Sequence, residues 1–553
     1  MVHSVESGIQ TTTVLGKYLS MPILQKRVNK ETFGEILERV NSKLAGWKGK
    51  CLSLAGRLTL TKSVLASIPI HTMCVITMPK ALLDDLDKVA RSFLWGSTSE
   101  KRKQHLISWK RVCTPKQEGG LGIKRAQDMN KALLAKLGWR LLTDHQSLWA
   151  RILRRKYKVG DTHNIAWTVP KSTWSSTWRS VGLGIREVVL QGQSWVLGDG
   201  RDILFWKDRW LTNEPIIDSA VDVVPADRVN DCVSDLWWDG RGWELGRFLP
   251  YNTENTRLRL GALVVDKITG TRDHLSWGLT VDGAFTVKSA YSLLTRSGEL
   301  RPNMEKFWSC VWSCMVPERR IVPPSKVHQF FTMSLLEWLY ANLSVEVRME
   351  HFLWSTIFGM ALWWGWKWRC GNLFGVNGKC RDRVGFIKKL AKEVNDANVL
   401  GRGGQGPRVR VERMVKWEPP RSGWLKLNTD GASRGNPGRA SAGGVLRDAL
   451  GEWRGGFALN IGICSAPLAE LWGVYYGLYI AWQKRVTNLE LAVDSKVVVG
   501  FLKTGVSATY PLSFLVRLCH GYISKDWNVH IYHTYREANR LADGLATMLF
   551  LYS

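Results

Sequence analysis

The chain has 553 residues, 45% hydrophobic and 10% aromatic, enough for three or four domains with cores of their own at about 100–200 residues each. It carries 77 Lys and Arg against 48 Asp and Glu, a net charge of +29, which points to a polyanionic partner, nucleic acid first. No run approaches the roughly 20 apolar residues of a membrane span, no apolar signal core opens the sequence, and the ten cysteines include no CxxC pair. A membrane partner and a disulfide scaffold are thus excluded, and reduced, intracellular thiols are expected.

In chain order, residues 31–45 set Phe33, Ile36, Leu37, Val40 and Leu44 at helical spacing among charged neighbours, which predicts an amphipathic helix. Leu52–Ile68, Ala81–Leu94 and Asn130–Leu142 repeat the pattern. Residues 1–160 form a mostly helical region with 29 basic and 11 acidic residues. Trp47, Trp95, Trp109 and Trp139 interleave with the cations, either as stacking platforms for bases or as core. Asp84-Asp85, the only such pair, lies inside a predicted helix between Leu83 and Leu86. Residues 161–300 read as a Trp-rich connector. Residues 301–400 hold Cys310, Cys314 and His328, a zinc half-site with no second ligand pair at usable spacing. The tryptophans of Leu353–Trp368 recur at helical spacing and predict packed core.

Residues 401–415 open with GRGGQGPRV, a linker in which Gly and Pro defeat helix and strand. The segment 416–553 then reads as a domain. Trp424–Thr429 alternates as a strand and runs into the turn signal of residues 430–438; Ser441–Arg447 and Trp453–Ile461 follow as strands joined by a hairpin turn at Asp448–Glu452. Ser465 and Pro467 start a helix reaching about Arg485, then come a strand at Leu489–Val493, helices near 495–503 and 510–523, a strand at Val529–Tyr532 and a helix over 536–549. The order β-β-β-α-β-α-α-β-α predicts an α/β fold, a mixed five-stranded sheet flanked by helices. Asp430, Glu470, Asp494 and Asp543 sit on four of these elements, where they could converge at one end of the sheet and repel one another unless cations lay between them. Two Mg²⁺ ions, or Mn²⁺ in their place, would suit such oxygen ligands.

NTDGASRGNPG (428–438), AELWG (469–473), VDSK (493–496) and HTYREANRLADGLA (533–546) resemble a type-1 ribonuclease H domain, in the version found in plant retroelement-derived proteins. The resemblance implies metal ligation by Asp430, Glu470, Asp494 and Asp543, a role for His533 in water delivery or product release, and hydrolysis of the RNA strand of an RNA–DNA hybrid. Ser433 and Asn436 match the family's hybrid-contacting glycine-rich turn. Lys496 stands where better-studied members carry an amide, and Ser465-Ala466-Pro467 replaces an amide-bearing segment, which implies a more electrostatic grip on substrate.

LAGWKGKCLSLAGRLTLTKSVLASIPIHTM (44–73), RSFLWG (91–96) and HLISWKRVCTPKQEGGLGI (105–123) resemble the region after the polymerase palm in plant LINE-type, non-LTR retrotransposon reverse transcriptases. Thumb and connecting helices that hold duplex are implied for the N-terminal half. No palm carboxylates are found, so no DNA synthesis is expected, and residues 311–331 run past the place of the family's Cys/His knuckle. A nuclear location is implied. The alternative is a retroelement remnant that binds nucleic acid and cuts poorly or not at all.

Overall fold

The computed structural model of the chain describes residues 17–18, 21–22, 29–46, 52–97, 105, 107–160, 163–238, 242–266, 269–295, 342–343, 348–349, 352–373, 382–401 and 415–551. Trp47, Cys310, Cys314, His328, the knuckle region and nearly all of the predicted linker lie outside them. Two compact units are formed, one from residues 1–73, 78–130 and 295–412, the other from 74–77, 131–294 and 413–553.

The first unit is helical. Gly34–Gly46, Leu54–Leu60 and Lys80–Trp95 are helices, close to the ranges the periodicity predicts, and Asp84 and Asp85 lie on the third. That helix stops where Gly96 takes a left-handed conformation (φ 69°), which leaves the Leu94 carbonyl to the Arg57 guanidinium at 3.1 Å. Trp95 and Trp109 pack on Leu94, Val112, Cys113 and Ile123, and Trp354 is buried at the start of the helix Trp354–Leu373. These tryptophans are core. Among the described residues, no helix is long and apolar enough to cross a membrane.

In the second unit, the strands Gln193–Val196 and His274–Trp277 pair antiparallel, and Phe205, Trp206, Trp210 and Phe248 close an aromatic core beside them. Trp139 packs edge-on against Trp277. Residues 425–548 of this unit form a five-stranded sheet with four helices. In chain order these are β1 (Leu425–Gly435), β2 (Gly438–Arg447), β3 (Trp453–Cys464), α1 (Ala466–Gln483), β4 (Asn488–Val493), α2 (Lys496–Thr504), α3 (Ser513–Ile523), β5 (Asn528–His533) and α4 (Arg540–Met548). The sheet order is β3-β2-β1-β4-β5, antiparallel from β1 to β3 and parallel from β1 to β5.

One boundary differs from the sequence reading. Residues 430–434 belong to β1, and only Asn436 and Pro437 separate it from β2. Pairing of each residue from Lys426 to Gly435 with β2 overrides the local turn preference of Gly, Ser and Asn.

Connector residues complete the core on which α1 rests. Trp472 of α1 donates its indole N–H to the Ala262 carbonyl at 3.0 Å, and Ala262, Leu263 and Val264 join the hydrophobic cluster of the sheet and its helices. Asp266, with a fully buried side chain, lies 3.7 Å from Arg517 of α3, and Ser276 donates to the Thr509 carbonyl at 2.8 Å.

Candidate active site

Asp430 is in the middle of β1. Thr429 pairs with Val493, the last residue of β4, so the parallel register sets Asp494 beside Asp430. Glu470 enters from the first turns of α1. Gly431 lets it in: a Cβ there would collide with the main chain of Ala469 and Glu470. Gly443 does the same for α4, where a Cβ would strike the Leu545–Ala546 backbone. Two glycines thus set how closely both helices approach the sheet.

Carboxylate oxygens of Asp430, Glu470 and Asp494 all lie within 4.8 Å of one another. Asp543, in the first turn of α4, stands outside that trio and pairs with Arg536 at 3.1 Å. Burial pushes Asp430 up to about 8, with the charges of Asp494 and Asp543 adding to it. Burial likewise lifts Glu470 to about 9, followed by Asp430 and Asp494. Asp494 is also raised by burial, against the pull of Asn539 and Arg536. Oε2 of Glu470 and Oδ1 of Asp494 are buried with no hydrogen-bond partner. Clustered hard oxygen donors that lack protein partners fit a divalent cation such as Mg²⁺.

His533 closes β5, and its Nε2 lies 3.0 Å from the Asp494 carbonyl oxygen. A carbonyl only accepts, so Nε2 carries the hydrogen and Nδ1 keeps its lone pair in the neutral ring. The residues expected to touch substrate are less uniform. Ser433 turns its hydroxyl to the carbonyls of Gly435 at 2.7 Å and Cys464 at 3.0 Å. Asn436 accepts from the Ala466 amide through Oδ1 at 3.2 Å, which leaves its NH₂ to donate outward. Lys496 is exposed at the first position of α2.

Sequence reasoning missed Arg536, which offsets the charge of Asp543, and Asn428, which is fully buried behind the site. A signal for Asn428 was available: Lys426, Asn428 and Asp430 alternate along β1, and all three are buried, so that face of the strand carries a polar interior.

Residues 428–549 match the family described as "Reverse transcriptase-like". The "Putative ribonuclease H protein At1g65750" of Arabidopsis thaliana is 52% identical over 588 aligned residues, which span 96% of this chain and 94% of that protein. The "Uncharacterized mitochondrial protein AtMg00310" of Arabidopsis thaliana is 32% identical over 150 residues, 27% of this chain and 95% of that one. Among solved structures, RNase H1 from the halophilic archaeon Halobacterium salinarum NRC-1 is 27% identical and covers 24% of this chain and 99% of its own, with a TM-score of 0.23. Identity of one residue in two, sustained over nearly the full length of both chains, joins the carboxylate-bearing sheet and everything before it to one kinship: the chain belongs to the family of the "Putative ribonuclease H protein At1g65750" of Arabidopsis thaliana.

Proposed function

We propose that the chain hydrolyses the RNA strand of RNA–DNA hybrids in a divalent-cation-dependent reaction, while its basic N-terminal half holds nucleic acid. The observation that carries this reading is the cluster of Asp430, Glu470 and Asp494 with its unpartnered buried oxygens. Mg²⁺ held by these residues and Asp543, with Mn²⁺ as a substitute, would activate a water and stabilise the leaving oxygen of a phosphodiester. Asp430 anchors the cluster from a rigid strand. Glu470 and Asp543 close on it from two helix starts, and Arg536 limits the charge at Asp543. His533 is fixed to the Asp494 main chain, and its Nδ1 is the proton acceptor at the rim. The Asn436 NH₂ and the Lys496 ammonium are the groups left to grip 2′-hydroxyls and phosphates.

For the N-terminal half, the supporting feature is the helix Leu148–Tyr157. Arg151, Arg155 and Lys156 are exposed along it, with exposed Leu148 before them and exposed Ile152 among them, and Lys158 and Lys171 follow. Among the described residues, no carboxylate pairs with any of these five cations. An unneutralised cationic stripe attracts phosphates and releases counterions. The resemblance of residues 44–123 to the post-palm region of plant LINE-type reverse transcriptases supports the same role.

The test is cleavage of a hybrid labelled on each strand, with the full chain, Mg²⁺ and an Asp494→Asn control. Cleavage of the RNA strand alone, lost in the variant and on chelation, is the expected result. A second reading, a binding module that cuts poorly, is favoured by the internal bonding of Ser433. Folded protein that binds hybrid but leaves both strands intact would establish it instead.

A further inference from the structure

A line of polar side chains runs from the segment before β1 to the carboxylate site. The indole N–H of Trp417 and Nη2 of Arg447 each donate to Oδ1 of Asn428, both at 3.0 Å. The Arg447 guanidinium also lies over the Trp417 ring, 3.8 Å from its centroid. Nδ2 of Asn428 donates to Oδ1 of Asn539 at 3.1 Å, and Nδ2 of Asn539 donates to the Thr429 carbonyl at 2.9 Å. Asn428 and Asn539 are each 1% exposed, so no water competes for these contacts. Thr429 immediately precedes Asp430. The Asn539 amide also faces the Asp494 carboxylate and counters the effect of burial on it. The Asn539 main-chain carbonyl accepts from the Asp543 amide at 3.1 Å.

An amide side chain has one accepting end and one donating end, and reversing it exchanges them. Indole and guanidinium are donors only, so together they fix Asn428 with its oxygen outward and its NH₂ toward Asn539. That in turn fixes Asn539 with its NH₂ toward Thr429 and Asp494. Reversal of Asn428 would set its oxygen against the Asn539 oxygen; only if Asn539 also reversed would that oxygen meet an NH₂, and Asn539 would then set an acceptor against a carbonyl and a carboxylate. Buried acceptor pairs of that kind are costly.

We infer that Trp417 and Arg447 are positioning residues for the carboxylate site, which act through the enforced orientation of the Asn428 and Asn539 amides. The inference rests on the proposed cation-binding role of Asp430, Glu470 and Asp494. It extends the site's support to two residues, Trp417 and Arg447, that touch none of those carboxylates.

The experiment is titration of the full chain with Mn²⁺, read by the electron paramagnetic resonance signal of the free ion, alongside hybrid cleavage resolved into kcat and KM. Trp417→Phe keeps an aromatic ring for Arg447 and removes the N–H with the pyrrole half of the indole; Arg447→Met removes the second donor. The double variant is expected to bind Mn²⁺ about tenfold more weakly and to lose kcat with little change in KM. Loss of a cation by itself would strengthen Mn²⁺ binding, so a fall in affinity reports the amide orientation. In an Asn539→Ala background the same pair of substitutions should have no further effect, whereas independent structural damage would add. Should Asn539→Ala not fold, Asn428→Ala supplies the background. Wild-type Mn²⁺ affinity in the double variant, or an undiminished loss in the alanine background, overturns the inference and leaves the reading of the carboxylate site standing. Absence of saturable, Asp494-dependent Mn²⁺ binding in the wild type overturns both.

Discussion

Glu470→Gln separates the stability of the site from its function. In the cation-free protein, burial and the neighbouring aspartates raise the Glu470 pKa from 4.5 to about 9. Below about pH 4.5 both folded and unfolded chains hold the proton, and the residue has no electrostatic cost. Between 4.5 and 9 the unfolded chain releases the proton while the folded chain retains it, so stability falls as pH rises. At about 1.4 kcal/mol per unit, the interval from 4.5 to 7 amounts to about 3 kcal/mol, and the interval to pH 5 to less than 1 kcal/mol. Glutamine has nearly the same shape and no titration. It should therefore stabilise the cation-free fold by on the order of 3 kcal/mol at pH 7 and hardly at all at pH 5. Hydrogen exchange of peptides spanning β1 and β4, corrected for intrinsic rates, measures this locally as slower exchange by about two powers of ten at pH 7. Saturating Mg²⁺ should reverse the order, because the ion stabilises only the protein that keeps the carboxylate. Protection that is lower in the variant at pH 7, or a difference that does not change with pH, would refute the account of Glu470 as a buried, electrostatically frustrated ligand.

Three further outcomes are expected. Gly431→Ala forces β1 and α1 apart against main-chain atoms that cannot rotate away; it should cost about 2–4 kcal/mol by chemical denaturation and remove hybrid cleavage even where the protein folds. A chain beginning at residue 416 loses the Ala262–Val264 cover over Trp472. Re-exposing roughly 150 Å² of a Trp side chain at about 25 cal/mol/Å² costs about 4 kcal/mol, so its thermal midpoint should lie well below that of residues 131–553, and equal midpoints would disprove the connector's supporting role. Replacing Arg151, Arg155 and Lys156 by glutamine should flatten the dependence of log affinity for a hybrid duplex on log salt by about 2–3; an unchanged slope would remove the helix Leu148–Tyr157 from the nucleic-acid surface.

The chain's own alternation and spacing determined a good deal. The sequence order of strands and helices in residues 424–549 is legible because strand-forming runs, the turn signals between them and apolar residues at helical spacing are local patterns that survive folding. The helices around Phe33, Leu58 and Leu86 were legible for the same reason. That four carboxylates stand on four separate elements was also visible, since an ionisable residue beside a strand end or helix start is a property of the sequence. Tertiary structure decided how these pieces meet. Pairing with β2 drew residues 430–434 into a strand that their own preferences mark as a turn. The parallel register of β1 with β4 set Asp494 against Asp430, and the missing Cβ of Gly431 let Glu470 complete the trio while Asp543 stayed at its edge. The Ser433 hydroxyl turned inward to the Cys464 carbonyl, 31 residues on, and Asn428 found Asn539 across 111 residues. A hydrogen bond depends on a few tenths of an ångström and on direction, and no spacing along the chain encodes either between residues so far apart.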